Sequence, residues 1–270
     1  MTRVLSGIAL IAVAVGVVWF AHPLVFFAVA EVLLVLAFIE YARLADAGGS
    51  PVPFAAACAA TILTSISLSA THWVGDRLVG TGAGFDAILI TGFIALAATT
   101  LATWTGGRDA LARASAAVFP MLYLGVPIGA MLSIRALPGR EALFLLMTTV
   151  MVSDTAQYYS GRAFGRHLLA PSISPKKTIE GAAGGFVVGT AFFAGVGAWW
   201  LPSMAIGVRL GLGLALVALG IAGDLFESML KRSAGVKDSS TLIPGHGGVL
   251  DRIDALLFAA PVYYIVLRYL

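Results

Sequence analysis

SMLKRSAGVKDSSTLIPGHGGVLDRID, residues 228–254, holds four cations (Lys231, Arg232, Lys237, Arg252), three carboxylates (Asp238, Asp251, Asp254) and His246 around a glycine-rich turn. Hydrophobic sequence flanks it on both sides. A polar island between two apolar segments belongs at a membrane surface, with Asp224 just upstream and Asp251 near its end directed at the same place. That placement decides the class of fold.

The remainder of the chain agrees. Of 270 residues 59% are hydrophobic and 11% charged, with a mean hydropathy of +0.95, far from the roughly 25% charged residues of soluble domains. An all-α polytopic membrane protein is expected. The net charge of +3 comes from Lys and Arg gathered in a few loops rather than along a continuous basic face, which speaks against nucleic acid and for anionic headgroups or nucleotides. The single cysteine, Cys58, lies in an apolar run, so a disulfide framework and a cysteine-rich metal site are both excluded. The opening Met-Thr-Arg and the apolar run from Val4 resemble a signal peptide, but no small-residue cleavage site follows, and a first span is expected there.

About nine segments are long and apolar enough to be read as spans, centred near Val13, Leu33, Ser65, Ile94, Gly125, Thr149, Gly189, Leu216 and Val262. They form a single integral membrane domain, 1–270, with scaffold helices in 1–140 and a functional half in 141–270. Two connections are long and polar, about 161–180 and 231–250, and both follow even-numbered spans, so they share one side. With the N-terminus cytoplasmic and the C-terminus outside, twelve of the 17 Lys and Arg residues fall on the inner side: Arg3, Arg43, Arg108, Arg113, Arg162, Arg166, Lys176, Lys177, Lys231, Arg232, Lys237 and Arg252. Arg77, Arg135, Arg140, Arg209 and Arg268 remain outside. Trp19, Trp73, Trp104, Trp199 and Trp200 fall at the ends of apolar runs, as an aromatic belt does.

Most signals in the first five spans concern packing. Thr61, Ser65 and Ser69, at four-residue spacing, allow helices to approach closely, and Gly181, Gly185 and Gly189 form a similar face in the seventh span. Glu31 is an ionisable group inside the second span, a functional candidate by its placement; a paired or protonated Glu at a helix or subunit contact is the plainer account of it.

The sixth segment is apolar only from Ala142 to Val152, too short to cross, so its helix must continue through Ser153, Asp154, Gln157 and Tyr158. The eighth, apolar from Leu210 to Gly223, must likewise take in Asp224 through Met229. Asp224, Glu227, Ser228 and Lys231 then share one helix face. A ninth span starting near Asp251 carries Asp254 one turn later. Carboxylates from three helices thus reach one cytoplasmic level. A structural ion-pair network would explain them. Against it stand Lys231, Arg232, Lys237 and Arg252, together with the turn Pro244-Gly245-His246-Gly247-Gly248, whose glycines could present backbone N–H groups to phosphate. Hard oxygen donors beside phosphate-binding groups favour Mg²⁺, with a second cation as an option. His246 suits a hydrogen bond to phosphate, or ordering of the loop, better than metal ligation. In the other connection Lys176 and Lys177 sit just before a helix start, a position that favours anions.

Two strings carry a resemblance. Ser228-x-x-Lys231-Arg232, Lys237-Asp238 and Pro244-x-His246-Gly247-Gly248-x-x-Asp251-Arg252-x-Asp254 resemble the signature of the phosphatidate cytidylyltransferase family, also called CDP-diacylglycerol synthases. The stretch from Asp154 through Tyr158 to Gly161-Arg162-x-Phe164-Gly165, then Ser174-Pro175-Lys176-Lys177-Thr178-x-Glu180-Gly181, is similar to a second pattern of that family. Together they cover about the C-terminal half. Ala156-Gln157 and Ile179 depart from the pattern, which has Gly-Ala and an aromatic there.

The resemblance implies transfer of CMP from CTP to phosphatidate in the bilayer, giving CDP-diacylglycerol and pyrophosphate, with Mg²⁺, in the inner cell membrane with the site facing the cytoplasm. It assigns Asp224 and Asp251 as metal carboxylates and places Asp154 and Asp254 nearby. Lys231, Arg232, Lys237 and Arg252 would hold pyrophosphate or the lipid headgroup, and the segment Ser174 to Glu180, with Lys176, Lys177 and Thr178, would hold CTP or the second phosphate. Tyr158, Ser228, Asp238, His246, Gly247 and Gly248 complete the expected substrate-binding set, and a homodimer is a candidate assembly. A CTP-dependent polyprenol or lipid kinase is the alternative at the same membrane level. A transporter is the third reading, although transporters place polar groups near the midplane.

Overall fold

The computed structural model describes residues 12–73, 84–243, 245 and 247–269. Arg3, Arg77, Pro244, His246, the Trp73 side chain and the opening of the first apolar segment lie outside what is described. Nine helical stretches run through the described residues: α1 (12–20), α2 (Pro23–Ala47), α3 (Phe54–Trp73), α4 (Phe85–Thr103), α5 (Ala110–Ala136), α6 (Arg140–Phe164), α7 (Ile179–Trp200), α8 (Ile206–Ser233) and α9 (Leu250–Tyr269). They coincide with the nine apolar segments. Five of them, α2, α4, α5, α7 and α8, are long and apolar enough to cross a membrane.

Local chemistry sets the helix ends. Pro23 occupies the first turn of α2, where its missing N–H costs nothing, and the His22 ring accepts from Leu24 N at 3.3 Å. Pro120 removes a donor in the middle of α5, and the chain answers with a π turn over Met121–Gly125 before resuming the α-helix. Gly139, at φ 103°, takes the left-handed conformation that reverses the chain between α5 and α6.

The helices penetrate both polar connections further than hydropathy indicates, since charged side chains on one face do not prevent the other face from packing. α6 runs to Phe164 and α8 to Ser233. What remains of the first connection is not an open loop but an antiparallel hairpin, β1 (Leu168–Ala170) and β2 (Ser174–Thr178), with Leu168 opposite Thr178 and Ala170 opposite Ser174. Its strands are too short for periodicity to reveal them.

Two buried clusters hold the bundle. One joins Leu34, Leu146, Phe193, Leu216 and Tyr263, and the other joins Phe38, Tyr41, Leu124, Val249, Leu250 and Leu257. Trp19, Phe144 and Trp200 pack together with ring centroids 5.2–5.9 Å apart. Phe144 stands ten residues before Asp154 on α6, about 15 Å along a helix, so the aromatic group and the charged site occupy separate levels.

Small residues let the backbones touch. A Cβ on Gly125 would stand 2.7 Å from Thr61 O, and one on Gly129 would stand 2.8 Å from Ser65 O. The Thr61–Ser65 face is therefore a helix contact, of α3 on α5. Glu31 joins the same contact from α2, where Ser65 Oγ donates to its Oε1 at 2.8 Å. The expected glycine face of α7 is also a contact. Cβ atoms on Gly181 and Gly185 would meet Gln157 of α6 at 2.8 and 2.5 Å, and one on Gly189 would meet Val217 of α8 at 2.7 Å. Gly129→Ala is expected to cost about 1–3 kcal/mol by overpacking, read as a lower thermal midpoint in detergent; an unchanged midpoint would contradict the α3–α5 approach.

Candidate functional site

The site is assembled where α6, α8 and α9 meet. Gly223 brings the α8 backbone against α9: a Cβ there would lie 2.5 Å from Asp254 O and 3.2 Å from Ala255 Cα. This close approach sets Asp224 beside Asp254, and both Asp154 and Asp254 lie within electrostatic reach of Asp224. Gln157 Nε2 donates to Asp154 Oδ1 at 3.0 Å, and Ser228 Oγ stands 3.5 Å from Asp224 Oδ1. Lys177 enters this group from β2 and places Nζ 2.5 Å from Asp224 Oδ2. Lys177 thus pairs with Asp224 and lies within electrostatic reach of Asp154, whereas the cation within reach of Asp254 is Lys231.

A second ionic group lies deeper. Lys231 Nζ bridges Glu227, one turn back on α8, and Asp251 at the start of α9. Glu227 is fully buried and the Asp251 side chain is 7% exposed. Asp251 Oδ2 also accepts from Ser239 N (3.0 Å), Ser239 Oγ (2.7 Å) and Gly248 N (2.8 Å). The i, i+3, i+4, i+7 face of α8 is therefore present, but its lysine points into protein. Lys231 was expected to hold a phosphate; as the structure stands it neutralises two buried carboxylates, the cheaper arrangement for an ammonium at that depth.

The glycine turn likewise differs from the expected phosphate cradle. Gly247 adopts φ 76°, Ile243 N donates to Gly247 O, and the Gly248 amide is taken by Asp251. Its Gly248 amide serves one of the protein's own carboxylates. His246 lies outside the described residues.

The hairpin is docked by glycine and carboxylate. Cβ atoms on Gly161, Gly165 and Gly181 would each stand 2.9–3.0 Å from Thr178 Oγ1, and Thr178 Oγ1 accepts from Gly181 N as the cap of α7. Glu180, expected to touch substrate, accepts instead from Arg166 N (3.0 Å) and His167 N (3.2 Å) and lies 2.6 Å from His167 Nδ1. It anchors the base of the hairpin. Arg232 reaches Ile173 O and Val236 O and ties α8 to the hairpin turn. Around this frame Ser174 is half-buried, while Lys176, Lys237, Asp238 and Arg252 are exposed. Tyr158 is 62% exposed and meets Tyr159 edge-on. On the same helix, a cleft of about 540 Å³ opens beside Thr148, Met151, Val152, Thr155, Tyr159 and Val188.

Two residues of the site escaped the sequence. Ser239 looked like loop filler, and Glu40, buried at 2% exposure near the end of α2, bonds to residues 239–250. Glu40 stands close to Arg43 at the end of an apolar run, where a carboxylate reads as a helix terminus, and no spacing connects it to a loop 200 residues away.

A profile of the cytidylyltransferase family matches residues 1–270. The chain belongs to that family. Among similar proteins, the phosphatidate cytidylyltransferase of Aquifex aeolicus is 42% identical over 125 residues, covering 46% of each chain. That of Haemophilus influenzae is 46% identical over 131 residues, 46% of this chain and 45% of the relative. The Synechocystis sp. protein of the same name is 49% identical over 133 residues, 47% and 44% of the two chains. The matched regions span about half the length of these relatives. For this member of the family, Asp251→Ala would leave Lys231 with Glu227 alone and strand the Ser239 and Gly248 amides, at an expected cost of about 3–5 kcal/mol. Arg252→Ala, at an exposed neighbour, should stay within about 0.5 kcal/mol. Thermal unfolding of the two variants side by side checks the contrast, and equal midpoints would count against it.

Proposed function

We propose that the protein transfers CMP from CTP to phosphatidate, forming CDP-diacylglycerol and pyrophosphate. The observation that carries this is that Asp154 and Asp254 lie within electrostatic reach of Asp224, which pairs with Lys177 of the hairpin, at one end of an apolar bundle, in a chain matched along its length by the cytidylyltransferase family. The cleft beside Thr155 and Tyr159, on the helix that carries Asp154, suits an acyl chain arriving from the bilayer.

In this reaction an oxygen of the phosphatidate phosphate bonds to the α-phosphorus of CTP. The bond from that phosphorus to the bridging oxygen breaks, and pyrophosphate leaves with the electron pair. The attacking oxygen is already ionised, so no strong general base is required; alignment and charge neutralisation carry the rate. Lys176, Lys237 and Arg252 are exposed and are proposed to hold phosphates, while Glu180, Thr178 and Arg232 keep the hairpin in position.

Mg²⁺ is part of the proposal. The donor chemistry fits: hard carboxylate oxygens from Asp154, Asp224 and Asp254, of which only Asp224 is in a direct ion pair, with Lys177. No group of three His, Cys, Asp or Glu side chains is arranged as a ready cage among the described residues, in keeping with a metal that binds one or two carboxylates and completes its shell with phosphates and water. Asp224 is proposed as the principal ligand, and Asp251 would join by exchanging Lys231 for the cation. Mg²⁺ bound there would neutralise the triphosphate.

The same reading places all nine helices across the inner cell membrane, the N-terminus and the site in the cytoplasm and the C-terminus outside. The unequal distribution of Lys and Arg supports it. A homodimer is the proposed assembly.

Purified protein in mixed micelles with phosphatidate, Mg²⁺ and CTP labelled at the α-phosphate should place label in the lipid and release pyrophosphate. Release of CDP with a phosphorylated lipid would identify a kinase and overturn the proposal. Removal of Mg²⁺ with EDTA should abolish turnover, and restored Mg²⁺ should recover it. Asp224→Asn should lower kcat by about 10²–10³-fold without loss of folded protein; near-normal turnover would remove Asp224 from the site.

A further inference from the structure

We infer that Glu40 is a positioning residue for the reaction: its carboxylate, supplied by α2, fixes the register of residues 239–250 and thereby the aim of Asp251 and Asp254. This rests on the function proposed above. Each carboxylate oxygen takes one hydroxyl and one amide. Oε1 accepts from Ser240 Oγ at 2.7 Å and from Val249 N at 3.0 Å, and Oε2 accepts from Ser239 Oγ at 2.8 Å and from Leu250 N at 2.8 Å.

Two of these donors are backbone N–H groups at the start of α9, which have no partner within their own helix. A negative charge is favoured there. α9 carries Asp251 in its own first turn, and obtains a second carboxylate from a residue more than 200 positions earlier in the chain. Gly248 makes this possible, because a Cβ at that position would collide with both Glu40 oxygens and with Ser239 Oγ. The second glycine of the turn therefore serves the approach of a carboxylate to backbone.

The link to the site is short. Ser239 Oγ stands 2.8 Å from Glu40 Oε2 and 2.7 Å from Asp251 Oδ2, one hydroxyl proton between two carboxylates. Asp251 follows Leu250 directly and holds Lys231, and Asp254 lies one turn on, within reach of Asp224. A shift of the 239–250 segment would therefore displace both aspartates. Burying a carboxylate is costly, and apolar packing alone could close this space. What the carboxylate adds is three directed bonds to one segment, from Ser240 Oγ, Val249 N and Leu250 N, and a share of the Ser239 hydroxyl. Misplacement of a reacting group by about 1 Å can cost on the order of 10²-fold in rate.

Glu40→Gln tests the inference in full-length protein in micelles, after the wild-type products have been identified. The amide keeps the shape but turns one acceptor into a donor that faces other donors. The expected result is a fall in kcat per folded molecule of about 10–100-fold, with KM for CTP and for phosphatidate little changed, and faster hydrogen exchange at Val249 and Leu250 than in α6. Glu40→Asp, which keeps the charge on a shorter arm, should recover part of the loss. A residue that only stabilises the fold would raise exchange throughout and leave kcat per folded molecule unchanged, and that result overturns the inference. If Glu40→Gln does not fold, Gly248→Ala, which drives a methyl into the carboxylate, should give the same kcat-weighted loss; wild-type kcat in that variant also overturns it. Should the wild type prove to form another product, the function proposed above fails, and the role of Glu40 is read on the reaction observed and on amide exchange.

Discussion

A carboxylate at the edge of an apolar helical bundle has to be met by a cation or by hydrogen-bond donors, because hydrocarbon supplies neither. Asp251 is met by Lys231, shared with Glu227, at one oxygen, and at the other by two N–H groups and the Ser239 hydroxyl that it shares with Glu40. Glu40 is met by two amides and two hydroxyls. Asp154, Asp224 and Asp254 are met only in part, by Lys177, Gln157, Ser228 and the Ala255 amide. The saturated carboxylates shape the loop and the start of α9; the partly satisfied ones are left with demand for a cation. Glu227 stands apart from both groups, fully buried with only the shared Lys231 beside it.

Close backbone approach makes these contacts attainable. Gly223 lets α8 touch α9, Gly181 and Gly185 let α7 lie on α6, and Gly161 and Gly165 leave room for Thr178. A side chain at any of these positions would hold apart the elements that carry the aspartates and Lys177. The two lysines differ for the same reason. Lys231 is fixed on a helix one turn from Glu227, with its side chain 10% exposed. Lys177 projects from a five-residue strand and is 22% exposed. Phosphate arriving at the site would compete more readily for Lys177.

The sequence reveals what obeys a period or a length. Apolar runs located the helices, and the insufficient length of Ala142–Val152 and Leu210–Gly223 showed that Asp154 and Asp224 continue those helices. It did not reveal how each polar group is satisfied. Lys231 and Glu180 carry the same charge whether they face substrate or protein, and only tertiary packing turns them inward. The hairpin escaped because its strands have three and five residues, too few to alternate visibly. Gly247 and Gly248 invited a phosphate-loop account because glycine marks close approach without naming what approaches; here it is Asp251 and Glu40.

The division into scaffold helices before residue 140 and a functional half after it follows the motifs along the chain, but the packing crosses it. One buried cluster joins Phe38 and Tyr41 of α2 and Leu124 of α5 to Val249, Leu250 and Leu257. Phe119 and Tyr123 of α5 stack with each other and meet Phe226 of α8, their ring centroids 5.0–5.8 Å apart. This aromatic layer keeps α8 against α5, and Glu40 lies on α2 beside the same cluster. An error in packing α2 would therefore reach the 239–250 segment directly, through one carboxylate. Sequence motifs of the site are confined to the second half, but the groups that hold those residues in register come from any helix that packs against them, α2 among them.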